Sequence, residues 1–151
     1  MKLELYIKEK NIPAELINCN GEVRTVEQAA RILGVDEQSI IKSMILATNN
    51  RSLILVISPG KKRIDIMKLA SILNLKEIAL ASPKVVEDVT DYSVCAVPPF
   101  GHRTPLRTVI DAEVLKREVV YAGGGANKTM IKIRSRDLVE ATKAEVVKLD
   151  D

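Results

Sequence analysis

A single lysine interrupts the apolar run Ile40-Ile41-Lys42-Ser43-Met44-Ile45-Leu46-Ala47. The run is too short to span a bilayer and is rich in strand-forming residues. Alternation along a strand groups Lys42 with Ile40, Met44 and Leu46, and Ser43 with Ile41, Ile45 and Ala47. Both faces are then apolar, the pattern of a strand covered on two sides. An ammonium in that setting either loses solvation, which lowers its pKa, or reaches into a wet cleft. Either placement is costly without a reason. The competing reading is a lysine near the strand's start that snorkels to water.

A second stretch, Pro98-Pro99-Phe100-Gly101-His102-Arg103-Thr104-Pro105, reads as a loop stiffened by proline at both ends. Gly101 allows a positive φ or a close backbone approach, and amides held this way can bind a carbonyl oxygen or an oxyanion. His102, the only histidine, and Arg103 are candidates for phosphate or ribose contact. The same composition also fits an ordinary connection between strands. Gly123-Gly124-Gly125 follows neither the dinucleotide fingerprint nor a P-loop; it suits a close approach to substrate or, on local grounds, a hairpin turn.

Lys61-Lys62-Arg63 is most simply a solvated basic turn, with a phosphate backbone as the alternative contact. Lys128, Lys132, Arg134 and Arg136 can extend a basic rim, although alternation puts only Lys132 and Arg134 on one face. Asp65 and Asp111 read as a helix cap and a strand-end turn before they read as acids. No spacing supports a Ser-His-Asp arrangement, a paired-carboxylate site or a metal cluster, so neither cofactor nor metal is expected.

The elements that must position these groups follow from local chemistry. Leu3, Tyr6 and Ile7 share a helical face ahead of Pro13, and Ala14 to Cys19 fits a strand turned by Asn20-Gly21. Thr25-Val26-Glu27-Gln28 is a capping box, and Gly34 suits the far end of the helix it opens. The lysine strand pairs with Ser52 to Ser58 across Asn49-Asn50, and Asp65 caps a helix carrying Ile66, Leu69, Ala70 and Leu73. Lys76 to Ala81 is a short strand, and Ser82-Pro83 opens a helical turn through Glu87. Leu106 to Asp111, Glu118 to Ala122 and Met130 to Arg134 read as strands. Ser135 is expected to cap a helix over 136–142, with a closing strand at 145–149.

These elements predict an α+β chain, one domain over 1–151, with a mixed curved β-sheet flanked by short helices. The composition agrees: 46% hydrophobic residues, no Trp and one Phe describe an aliphatic-cored globule. A net charge of +3 does not demand bare nucleic acid but tolerates a polyanion on one face. Cys19 and Cys95 read as reduced thiols of a cytoplasmic protein, or as one disulfide. The first residues lack an apolar core of signal-peptide length, and no stretch reaches membrane-spanning length, so no membrane partner is expected.

Taken in order, these fragments resemble the YbaK/ProX family of aminoacyl-tRNA deacylases, related to the editing domain of bacterial prolyl-tRNA synthetases. The resemblance runs from Thr25-Val26-Glu27-Gln28-Ala29-Ala30 to Asp137-Leu138. It is most specific at Ile41-Lys42-Ser43, at Thr90-Asp91-Tyr92 followed by Pro99-Phe100-Gly101, and in Gly101 to Pro105 as a Gly-x-x-x-Pro loop. Val109-Ile110-Asp111 and Gly123-Gly124 also fit. It implies hydrolysis of the ester that holds a wrong amino acid on the tRNA 3′ adenosine, between the lysine strand and that loop. Lys42 and the Gly101 backbone would act on the ester. Ser43, Phe100, His102, Arg103, Pro105, Gly123, Gly124 and Met130 would line the substrate.

The implied partners are mischarged tRNA and an aminoacyl-tRNA synthetase. A noncatalytic tRNA-binding or regulatory module is the rival reading, and a small-molecule hydrolase or ligand-binding protein a third. The chain departs from the family pattern at Asp91, where glycine is usual, and at Cys95-Ala96, where a glycine pair is usual. Met130 stands where some members acting on cysteinyl-tRNA carry aspartate. Alanine, serine and cysteine therefore all remain as the amino acid removed.

Overall fold

Turn and capping residues punctuate the chain, and the computed structural model describes residues 2–149 of it. In chain order these form α1 (Lys2–Glu9), β1 (Ala14–Asn18), α2 (Val26–Leu33), β2 (Ile41–Thr48), β3 (Leu53–Pro59), α3 (Ile66–Ile72), β4 (Ile78–Leu80), α4 (Pro83–Thr90), β5 (Arg107–Asp111), β6 (Val119–Gly123), β7 (Thr129–Arg134), α5 (Ser135–Thr142) and β8 (Glu145–Val147). The capping box closes as expected. Thr25 Oγ1 accepts the Gln28 N–H at 3.1 Å, Gln28 Oε1 accepts the Thr25 N–H at 3.3 Å, and Gly34 ends α2 at φ 68°. Asp65 and Ser82 cap α3 and α4, and α4 runs three residues beyond Glu87 to Thr90.

The strands divide into two sheets where the sequence suggests one. β1-β7-β6 is antiparallel, and β4-β2-β3-β5-β8 is mixed, its β3–β5 and β5–β8 pairs parallel. A parallel bridge from Ile40 to Tyr121 joins them. The main core lies between the sheets. Ile41, Ile45, Leu55, Ile57 and Ile110 meet Val120, Ala122, Ile131 and Ile133, closed by Leu3 of α1 and Leu138 of α5. On the other face of the five-stranded sheet, Leu46, Ile54, Val56 and Val109 pack under Leu69 of α3. Burying each such side chain contributes about 1.5–3 kcal/mol. β2 and β3 are thus covered on two sides, which is why their sequences are apolar at nearly every position.

Two local expectations need correction. Ser135 is the first residue of α5 rather than its cap; Arg134 takes the cap position, and the Ser135 N–H bonds the Glu118 carbonyl at 2.9 Å. The basic turn is not simply solvated. Lys62 reaches inward to Asp111 at 2.7 Å, while Lys61 pairs with Glu37 at 3.0 Å. Both cysteines are free.

Candidate active site

The ladder between β2 and β3 decides which backbone groups of β2 are spoken for. Gly60 N–H donates to Ile40 O and Thr48 N–H to Ser52 O, so the even-numbered residues of β2 bond β3. The odd-numbered residues face the other way, as Ala81 N–H to Ile45 O shows. β4 covers that side only along Leu46–Thr48. Between the Ile40–Tyr121 bridge and Ile45, the edge of β2 is open, and the N–H and C=O of Ser43 point into the gap.

A cavity of about 290 Å³ wraps this open edge. Ile40 to Ile45 form one wall; Val26 and Ala29 of α2, Val86, Val97, Gly123 and Met130 form the others. Arg24, Thr25, Leu80, Val94 and Cys95 are its exposed members. The lining is largely apolar; among the described residues its cations are Arg24 and Lys42, and none is an aspartate or glutamate.

Lys42 is half-buried, on the face it shares with Leu46 and opposite Ser43. Its Nζ donates to the Lys62 carbonyl at 2.7 Å. Burial pulls the amine's pKa below that of a free lysine. The Lys62 backbone is held in turn by its own side chain, whose ammonium meets Asp111 Oδ2 at 2.7 Å and Glu113 at 3.7 Å. The Asp111 side chain is only 2% exposed, and its other oxygen accepts the Glu113 N–H at 3.0 Å. Ser43 Oγ is buried with no hydrogen-bond partner among the described residues. An unmet hydroxyl on a stretch of strand edge that no neighbouring strand pairs, among the described residues, is an arrangement a ligand can complete.

The loop residues lie elsewhere. Phe100, Gly101, His102 and Pro105 line a second cavity of about 770 Å³, together with Tyr6 of α1 and Asp137 and Glu140 of α5. Phe100 is buried and stacks on Tyr6 at 5.9 Å between ring centroids. Gly101 has φ 80°, and a side chain there would sit 2.9 Å from Leu3 Cδ1; its carbonyl accepts from Tyr92 Oη at 3.4 Å. His102 Nε2 lies 2.6 Å from the Pro98 carbonyl, and burial lowers its pKa. Arg103 is exposed, 3.8 Å from the Asp91 carboxylate.

The structure therefore gathers Lys42, Ser43, Gly123 and Met130 at one cavity and the loop at another. Val97, just before the loop, belongs to the first. Gly123 permits this packing, since a Cβ there would come 2.8 Å from the Val97 oxygen. Gly124 serves the β6–β7 hairpin: its N–H donates to Thr129 O at 3.0 Å, and a Cβ would lie 2.6 Å from that backbone. Lys132 and Arg134 are exposed on β7 and line neither cavity.

The two departures from the family pattern also have locations. Asp91 ends α4 at φ 72°, a left-handed position that suits glycine. Its carboxylate is held by Lys2 and Arg103, and the Lys2 hydrogen bond is the main reason its pKa is low. Cys95 is exposed at the cavity, with Arg24 Nη2 3.9 Å from its sulfur, whereas Ala96 is buried and accepts the Gly125 N–H at 2.9 Å. Sequence reasoning did not single out Arg24, because a lone arginine before a capping box carries no pattern of its own.

Comparison with known proteins gives these features a context. Residues 20–141 match the model of the aminoacyl-tRNA editing domain. A proline–tRNA ligase of Caldicellulosiruptor bescii is 30% identical over 77% of this chain, which spans 19% of the ligase. Among solved structures, the hypothetical protein APE2540 superposes with a TM-score of 0.92 at 34% identity, covering 100% of both chains. A protein provisionally described as a trans-editing enzyme for prolyl-tRNA synthetase superposes at 0.91 with 24% identity, over 99% of this chain and 95% of its own. No helix among the described residues is long and apolar enough to cross a membrane.

Proposed function

We propose, for a chain that belongs to the aminoacyl-tRNA editing domain family, that it hydrolyses the ester joining a wrongly attached small amino acid to the 3′ end of tRNA. The observation that carries this reading is the half-buried Lys42 beside the open edge at Ser43, on one cavity. The ester carbonyl lies along that edge. Its oxygen accepts from the Ser43 N–H, and the Lys42 ammonium, tethered to the Lys62 carbonyl, supplies positive charge where negative charge develops.

Water adds through oxygen to the carbonyl carbon, the ester C–O bond breaks, and the ribose hydroxyl departs with a proton. Cationic walls without a carboxylate favour the substrate's α-amine in its uncharged form, and that amine accepts the proton of the attacking water. Positioning and electrostatics suffice for an ester already prone to hydrolysis. Gly101 acts at one remove: its left-handed backbone fixes the loop from which Val97 walls the cavity.

Buried Met130 and the surrounding aliphatic side chains suit alanine, serine or cysteine and exclude a charged side chain. Similarity to part of a proline–tRNA ligase makes a proline tRNA carrying a wrong amino acid the first substrate to try. The test is release of labelled amino acid from mischarged tRNA by the purified chain and by Lys42→Ala. Loss of turnover in a folded variant supports the reading; unchanged turnover in Lys42→Ala removes the site.

A further inference from the structure

Arg24 touches no reacting atom in that mechanism. It is exposed and lines the same cavity as Lys42 and Ser43, and among the described residues no ion pair ties it to a carboxylate; its guanidinium meets the Cys95 sulfur at 3.9 Å. Its backbone is nevertheless fixed. The Arg24 N–H donates to Gln28 Oε1 at 3.1 Å, and the neighbouring Val23 N–H donates to the Asn127 carbonyl at 2.8 Å. Thr25 and Val26, where α2 begins, line the cavity beside it, so the positive end of that helix adds to the guanidinium. Many cations on this surface face an acid, as Lys61 faces Glu37 and Arg107 faces Glu145. Among the described residues the cavity offers Arg24 none, which leaves a positive charge at the exposed side of a site whose half-buried cation is Lys42.

We propose that Arg24 binds the 5′-phosphate of the terminal nucleotide of the aminoacylated strand, which makes it a substrate-positioning residue. This rests on the deacylase reading: with the ester at Lys42 and Ser43, the ribose spans the cavity and its 5′-phosphate emerges on the exposed side. A guanidinium matches a phosphate through two parallel N–H donors, and the unsatisfied hydroxyl of Ser43 shows that the inner end also awaits a polar partner.

The experiment compares two small esters of one amino acid, the 3′-aminoacyl ester of adenosine and that of adenosine 5′-phosphate. Hydrolysis is measured for the unmodified chain, Arg24→Gln, Arg24→Lys and Arg63→Gln. The phosphorylated ester should have a kcat/KM higher by about tenfold or more, the usual scale of a charge-assisted contact. Arg24→Gln should bring that ratio to within about twofold, mainly through KM, and Arg24→Lys should retain part of it because the charge stays while the fork is lost. Arg63→Gln, on the exposed basic turn, should keep the full ratio.

Equal loss on both esters in Arg24→Gln, or a ratio that survives the substitution, overturns the proposal. Binding of the corresponding non-hydrolysable 3′-amides, with and without the 5′-phosphate, gives the same comparison without turnover. Phosphate-dependent binding lost in Arg24→Gln while neither ester is cleaved would uphold Arg24 and reject the deacylase. Cleavage of both esters at equal rates would do the reverse. Competition by inorganic phosphate alone, with no preference between the two esters, would mark a general anion site and overturn the assignment.

Discussion

Lys42→Met keeps the length and apolar stem of the side chain and removes its charge and donors. In the folded protein Nζ has lost part of its water, gains the Lys62 carbonyl at 2.7 Å, and is left with a lowered pKa whose cause is burial. The ammonium is therefore less welcome in the fold than in the unfolded chain, and the penalty is complete once the pH lies below both pKa values. It fades as pH rises through the folded pKa toward the ordinary lysine value of about 10.4. Lys42→Met should accordingly melt no lower than the unmodified protein at neutral pH, and any advantage should shrink near pH ~10. Catalysis should move the other way. Removing one preorganised charge or donor from a developing oxyanion costs about 10²–10³ in kcat. Single-turnover deacylation, paired with thermal melts at both pH values, reads both effects. Activity within about threefold of normal would refute the oxyanion role, because the cited donor losses are at least tenfold larger. A melting temperature that collapses with activity would make Lys42 a structural residue.

Three further outcomes follow. Asp111→Asn removes the closer carboxylate of Lys62 and leaves Glu113 at 3.7 Å, so the loss should fall below the about 3–5 kcal/mol of a fully broken buried pair and show as a lower urea midpoint. His102 has its pKa lowered by burial, so the unfolded chain protonates first. Stability should fall as pH drops through about 6.5, and His102→Gln should flatten that limb of a melting-temperature profile. Asp91→Gly relieves a left-handed residue at φ 72° and gives up exposed pairs with Lys2 and Arg103. Exposed pairs contribute about 0–1 kcal/mol, so the urea midpoint should stay level or rise slightly.

What the sequence discloses is what neighbouring residues decide. The Thr25–Gln28 box, Asp65, Ser82-Pro83 and the Asn49-Asn50 turn each fix an element by bonds spanning four residues or fewer, and each is present. The two-sided apolar character of β2 follows from alternation and is met by Ile41 and Ile45 on one face and Leu46 on the other. Ser135 is drawn into the first turn of α5, and its N–H bonds Glu118, a partner that the residues around it do not announce.

Long-range pairing hides the rest. Nothing beside Lys62 announces Asp111, so a buried ion pair reads as a wet basic turn. The division into two sheets depends on β7 lying between β1 and β6, and β1 comes from the opposite end of the chain. The sequence places the loop at Gly101 and the strand at Lys42 on one site, whereas they wall different cavities, the loop beside α1 with Phe100 stacked on Tyr6. Asp91 in place of glycine is explained only once its φ is known.

The central claim is that an ester is cleaved at the Lys42 cavity. Incubating the purified chain with a panel of mischarged tRNAs, and following amino-acid release against the uncatalysed rate, tests it most directly. The account predicts accelerated release of a small uncharged amino acid from at least one of them. Saturable, salt-sensitive tRNA binding with no acceleration anywhere on the panel would contradict it.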